Sequence, residues 1–197
     1  MTKIISIMGN IGSGKTTIVN KLHNLYSFPT IEEPLDEWKR WLDLFYTNPK
    51  QFAFSFQMKI LYDYNIIKKK LENNVVKIET CVIERSPFES KNIFAKALYK
   101  NGDMSEIEHE LLSNYFDEYS WKPDIIIYLK LDPEKCLERI KLRNRACESG
   151  IQIAYLQSLH NNYEELVSQS EHNIHVIDVT DSEINVILDQ VHSIICN

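Results

Sequence analysis

Cysteine is scarce and scattered. The four residues, Cys81, Cys136, Cys147 and Cys196, form no Cys-x-x-Cys pair. That argues against a structural metal or a disulfide framework and fits reduced thiols in a cytosol-like compartment. No apolar run approaches the length that spans a bilayer. The first strand pattern begins at Lys3, so no signal or transit peptide is expected ahead of it; a cytoplasmic location is expected, with the nucleus left open. Cations are outnumbered: 22 Lys and Arg against 28 Asp and Glu leave a net charge of −6. Such a balance argues against nucleic acid as the main partner. Glycine is rarer than average, with five in 197 residues. Three of these five, Gly9, Gly12 and Gly14, fall within six positions, and that concentration directs the reading of everything else.

The stretch Gly9-Asn10-Ile11-Gly12-Ser13-Gly14-Lys15-Thr16 fills every fixed position of the phosphate-loop pattern G-x-x-x-x-G-K-[ST]. Its flanks fit. Lys3–Met8 is a β-branched apolar run, and Ile18, Val19 and Leu22 follow at helical spacing after Thr17. Glycines let the backbone approach a phosphate, and a helix N-terminus adds partial positive charge. Lys15 would reach the outer phosphates, and the Thr16 hydroxyl would ligate Mg²⁺. A nucleoside triphosphate is therefore the expected ligand.

Four more segments read as strands: Phe28–Glu33, Thr80–Glu84, Asp124–Leu129 and Asn173–Val179. Helical patterns separate them at Leu35–Phe45, Pro49–Leu71, Pro87–Tyr99, Ser105–Tyr119, Pro133–Arg143, Ile151–Ser168 and Ser182–Ile195. In Pro49–Leu71 the apolar face is expected to run through Phe52, Phe56, Ile60, Tyr64 and Ile67. Alternating strands and helices imply an α/β fold of the three-layer P-loop type, with a central, five-stranded parallel sheet. The length fits one domain over residues 1–197. Ligands of such sheets bind at the carboxyl ends of the strands, where the glycine loop, Glu32-Glu33 and Glu84-Arg85 all fall.

A carboxylate such as Glu33 can accept the proton of a hydroxyl that attacks a γ-phosphate. On position alone it is equally a surface carboxylate favoured by the following helix dipole. Glu84 can hold Mg²⁺, and Arg85 can clamp a phosphoryl group. Arg139 and Arg143 share a helical face, with Arg145 just beyond. Beside an intact glycine loop these three arginines read as a lid over about 139–151 that closes on phosphates and excludes water. Trp38, Phe45, Tyr46, Phe52, Phe56 and Phe94 recur at helical spacing, which suits a core or a surface for stacking a base. Gln57, among them, carries a donor and an acceptor suited to a base edge.

Taken together, these motifs resemble the deoxyribonucleoside kinase family nearly end to end. GNIGSGKTT resembles its phosphate loop, EEPLDEW its Glu-Pro segment, FYTNPKQFAFSFQ its sugar- and base-binding stretch. ERSPFESKNIF resembles its Glu-Arg-Ser block, and RIKLRNRACESGI with YLQSLH its arginine lid and following helix. The resemblance implies transfer of the γ-phosphate of ATP, with Mg²⁺, to the 5′-hydroxyl of a deoxynucleoside. It implies Glu33 as the base, with Glu84 serving the metal and standing as rival base. Arg85 would hold the hydroxyl and the developing phosphate, while Tyr46 and Glu148 bind the 3′-hydroxyl. Gln57 would read the nucleobase, Phe94 stack on it, and Trp38 and Phe56 wall the pocket. Arg139, Arg143 and Arg145 would form the lid, Asp181–Glu183 would lie near the adenine of ATP, and the protein would be a homodimer.

Two positions depart from the family pattern. Members selective for deoxycytidine or deoxyguanosine carry an Arg seven residues after the Gln and an Asp six after the Glu of Glu-Arg; here those places hold Tyr64 and Ser90. Thymidine-accepting members have Met and Ala there. Loss of the Arg–Asp pair removes one reader of an exocyclic amino group, so a pyrimidine-leaning, thymidine-accepting pocket is expected. Cys147 stands where many relatives carry a second acidic residue. Three alternatives compete. A nucleoside monophosphate kinase shares the loop and the lid, but Glu33 would repel its acceptor phosphate. A non-catalytic nucleotide-binding subunit usually loses the loop lysine or the base, both kept here. A regulatory GTPase needs Asn-Lys-x-Asp and Asp-x-x-Gly motifs, which the chain lacks.

Overall fold

The computed structural model describes residues 2–73, 78–145 and 148–196. Cys147 lies outside them. Five parallel strands form one sheet in the order β2-β3-β1-β4-β5. The strands are β1 (Lys3–Gly9), β2 (Thr30–Ile31), β3 (Thr80–Glu84), β4 (Ile125–Lys130) and β5 (Ile174–Asp178). The centre is β1, buried from Ile4 to Gly9, which pairs with β3 on one side and β4 on the other. Continuous burial of both faces explains why this strand carries Ile and Met at neighbouring positions, broken only by the buried Ser6, rather than alternating with polar residues. Each fully buried Ile or Met there contributes about 1.5–3 kcal/mol.

Register fixes the site. Ile7 pairs with Glu84, Gly9 with Leu129, and Ile31 with Ile83. The glycine loop, the Glu32-Glu33 step and Glu84-Arg85 therefore leave the sheet at one edge. Strand β2 is shorter than the sequence pattern of 28–33, because it is an outer strand bounded by Pro29 and Pro34, and proline gives no N–H to a ladder.

Helix α1 (Lys15–Tyr26) starts directly from the loop and buries Ile18, Val19 and Leu22. Helices α2 (Leu35–Thr47) and α3 (Pro49–Glu72) pack against each other. Pro49 occupies the first turn of α3, where its missing N–H costs nothing. The buried face of α3 runs through Ala53, Phe56, Leu61 and Tyr64 rather than the whole expected row. Phe52, Ile60 and Ile67 are half-buried, and Ile60 borders the cavity described below, which is why that row is not sealed in the core.

After β3 the chain forms a short α4 (Pro87–Glu89), a π-helical segment over Ser90–Ala95, and α5 (Lys96–Lys100). Sequence periodicity predicts one regular helix there. The widened turn is tied from outside: Asn162 Nδ2 donates to the Ile93 carbonyl at 3.0 Å. Such single π-turns recur beside functional sites. Helix α6 (Glu106–Tyr119) opens with a complete capping box between Ser105 and Glu108. Helices α7 (Pro133–Arg143), α8 (Ile153–Gln169) and α9 (Ile184–Cys196) complete the layers. No helix among the described residues is long and apolar enough to cross a membrane.

Candidate active site

A cavity of about 770 Å³ opens at the carboxyl edge of the sheet. Of the residues that the sequence nominates for nucleotide, acceptor or metal, Gly9, Asn10, Asp181 and Glu183 do not line it, and neither does Phe52 of the aromatic group. Gly9 and Asn10 are buried at the start of the loop instead. Asp181 stands on the outer surface, where its carboxylate meets Lys135 Nζ at 2.6 Å. Val179, Ser182, Ile184 and Ile187 line that end of the cavity in its place.

The loop takes its shape from its glycines. Gly12 has φ +85°, and a Cβ there would lie 2.7 Å from the Cys136 carbonyl, so α7 can approach only because the side chain is absent. Gly14, at φ +98°, turns the chain into α1. Lys15 Nζ donates to the Asn10 carbonyl at 2.8 Å. Burial lowers the Lys15 pKa to about 8, and the nearby Arg85 cation lowers it too.

The next residue, Thr16, donates its hydroxyl to Glu84 Oε1 at 2.9 Å. Two hard oxygen donors thus meet on the cavity wall, and Mg²⁺ prefers one or two such ligands plus water and phosphate. No cluster of three or more His, Cys, Asp or Glu suited to a metal exists among the described residues. The pair suits a hard cation that takes its remaining oxygens from water and phosphate.

Arg85 is held in the left-handed region, at φ 62°. For a non-glycine residue this costs about 1–3 kcal/mol and persists only where surroundings over-determine it. They do here. The Arg85 N–H donates to the Ile7 carbonyl at 3.0 Å. Its Nε donates to Glu33 Oε2 at 3.2 Å, and its NH1 to Glu89 Oε1 at 2.8 Å and the Gly9 carbonyl at 3.2 Å. The guanidinium also lies 4.7 Å from the Phe94 ring centre. Burial works against its charge, but the Glu89 and Glu33 carboxylates outweigh that and hold its pKa well above the usual range. Burial raises the Glu33 pKa against the downward pull of Arg85, which makes Glu33 a stronger base than an exposed carboxylate.

At the other end of the cavity, Ser90 Oγ donates to Gln57 Oε1 at 2.6 Å. The Gln57 amide nitrogen is thereby oriented as the donor. Tyr64 is fully buried, with its ring edge-on to Trp38 and Trp121 and its hydroxyl donating to the Glu84 carbonyl at 2.9 Å. Trp38 is anchored in turn by Asp63, 2.6 Å from its Nε1. On the lid side, Arg139 NH1 donates to the Ser13 carbonyl at 3.4 Å. Arg143 pairs with Glu148, and Arg145 lies 3.6 Å from the same carboxylate.

Sequence reasoning missed Glu89 and Tyr163. Glu89 is wholly buried and Tyr163 donates its hydroxyl to Glu89 Oε1. The available signal was an acid four residues after Arg85, which reads more simply as a first-turn carboxylate favoured by the helix dipole.

A family model described as deoxynucleoside kinase matches residues 5–196. The chain is 34% identical to a putative kinase protein of Invertebrate iridescent virus 3, over 90% of this chain and 89% of that protein. It is 36% identical to a deoxyadenosine kinase of Dictyostelium discoideum, over 91% and 72% of the two chains. A solved structure of deoxyadenosine kinase from M. mycoides with products dCMP and dCDP superposes with a TM-score of 0.86 at 24% identity, covering 96% of this chain and 97% of that one, which bears on the fold alone.

Proposed function

The chain belongs to the deoxynucleoside kinase family, and from that premise we propose that it transfers the γ-phosphate of ATP to the 5′-hydroxyl of a pyrimidine deoxynucleoside, thymidine or deoxycytidine, in nucleotide salvage. One observation carries the reading: a single cavity is lined by the phosphate loop, by Glu33 and Arg85, and by Gln57 with its aromatic neighbours.

The acceptor sugar binds through Tyr46 and Glu148, and its base lies against Gln57, between Phe94 and the Trp38–Phe56 wall. Glu33 takes the 5′-hydroxyl proton as the oxygen attacks. Lys15 and the loop N–H groups hold the outer phosphates. Arg85 steadies the hydroxyl and the charge that develops on the transferring group, and Arg139, Arg143 and Arg145 close over it. The lid is the segment of about 139–151. Thr16 and Glu84 would hold Mg²⁺, which neutralises charge on the phosphates when bound. Residues 1–197 act as one functional unit.

The preference for one ring over two rests on Tyr64. Its phenol is pinned at both ring and hydroxyl, so it cannot swing aside for a fused base. A homodimer is supported by α6, where Ile107, Leu111 and Tyr119 are exposed on one face at spacings of four and eight; α6 packs on α3, which exposes Tyr62. Scattered free thiols at Cys81, Cys136 and Cys196 favour a reducing compartment, the cytoplasm. The test is labelled ATP with each of the four deoxynucleosides and with thymidylate. Thymidine and deoxycytidine should give 5′-monophosphates with higher kcat/KM than the purines. Equal or better purine turnover would contradict the base preference, and transfer only to thymidylate would contradict the acceptor.

A further inference from the structure

Arg85 has more partners in the interior than on the cavity wall. Its NH1 reaches three oxygens: Glu89 Oε1 at 2.8 Å, the Gly9 carbonyl at 3.2 Å and the Tyr163 hydroxyl at 3.4 Å. Glu89 Oε1 also accepts from the Gly9 N–H at 3.1 Å and from the Tyr163 hydroxyl. One carboxylate oxygen therefore joins the first residue of the phosphate loop, the arginine after β3 and a tyrosine on α8. Among the described residues no hydrogen bond involves Arg85 NH2, and Arg85 lines the cavity.

Neither Glu89 nor Tyr163 lines the cavity, and both are fully shielded from solvent. Tyr163 is itself fixed by stacking on Tyr128, with ring centres 4.8 Å apart and planes 13° from parallel. Burying a carboxylate costs several kcal/mol unless it is paired. A carboxylate kept at that cost, with a guanidinium, a backbone amide and a phenol on one oxygen, has a directional task. Without it, Arg85 would be drawn wholly to Glu33, the only other carboxylate that it hydrogen-bonds among the described residues.

We propose that Glu89, with Tyr163 behind it, is the positioning residue that docks Arg85 against the base of the phosphate loop, keeping Arg85 from collapsing onto Glu33 and holding its outer edge ready for the transferring phosphoryl group. The inference rests on the kinase reading above. It also gives α8, the helix that follows the lid, a direct mechanical link to Arg85 through Tyr163.

The test is a double-mutant cycle on the full chain, with folding checked by thermal melting. Glu89→Gln should lower kcat by roughly 10- to 100-fold, the scale of losing a charge-assisted partner to a group at the chemistry, with smaller changes in either KM. In an Arg85→Lys background, Glu89→Gln should cost less than threefold further, because its effect runs through Arg85. Tyr163→Phe removes one hydroxyl and nothing else; it should lower kcat about 3- to 10-fold, and it serves if Glu89→Gln does not fold. Multiplicative losses in the cycle, or unchanged kcat in Glu89→Gln and Tyr163→Phe beside an active wild type, would overturn the inference alone. A wild type with no phosphoryl transfer to any deoxynucleoside would overturn the kinase reading and this inference with it.

Discussion

Arg143 and Glu148 meet edge to edge, with Nε donating to Oε2 at 2.7 Å and NH2 to Oε1 at 2.6 Å. One residue is assigned to phosphate and the other to sugar, so the pair links the two halves of the proposed reaction. Glu148→Gln should lower kcat/KM for a deoxynucleoside by roughly 10-fold, the usual effect of losing a charged hydrogen-bond acceptor, and should shift the KM for ATP less, through the weakened hold on Arg143. With a 2′,3′-dideoxynucleoside, which has no 3′-hydroxyl, the gap between wild type and variant should narrow to the part that runs through Arg143. Steady-state kinetics on the two acceptors checks this.

Lys15 ties ATP affinity to pH. Burial brings its pKa down to about 8 in the free protein, so it is charged below that pH and neutral above it. The charged form binds phosphate better, so ATP affinity should fall as pH rises through about 8. Lys15→Ala should weaken binding by roughly 10- to 100-fold and lose that dependence. Titration of ATP into the protein across pH 7–9.5 measures both.

The raised pKa of Glu33 sets the opposite limb. A base must be ionised, so kcat/KM should rise with pH, with a midpoint above the ordinary carboxylate range because burial disfavours the charge. Glu33→Gln should remove that limb. A pH–rate profile of both proteins is the measurement.

Gly12→Ala tests the loop's packing. The new methyl would meet the Cys136 carbonyl at 2.7 Å in a backbone conformation that L residues avoid. The strain should lower stability by about 1–3 kcal/mol, read by denaturant unfolding, and it should weaken ATP binding by opening the loop from α7.

Much of this was legible in the sequence, for physical reasons. The glycine loop has one chemistry, and both flanks carried periodicity, so β1, α1 and the sheet class followed. The strand-end rule alone brings Glu33, Glu84 and Arg85 to one edge of the sheet. What was not legible depends on tertiary neighbours. The π-turn at Ser90–Ala95 has no local signal, because Asn162 holds it from another helix. Glu89 looked like an ordinary first-turn acid, and only the packing of Tyr163 and Gly9 reveals its partners. Tyr64 was visible as a departure from the family pattern, but its hydroxyl's bond to the Glu84 carbonyl was not. Asp181 rests on the resemblance alone, and it stands exposed beside Lys135 instead.

The most direct measurement is kcat for thymidine and deoxycytidine at saturating ATP, wild type against Glu33→Gln, with ATP affinity measured in parallel. Wild type should form the 5′-monophosphate, and the variant should be slower by about two orders of magnitude or more with ATP binding intact, the scale of removing a general base. Equal turnover in the two proteins would contradict the assignment of Glu33 and transfer the role to Glu84.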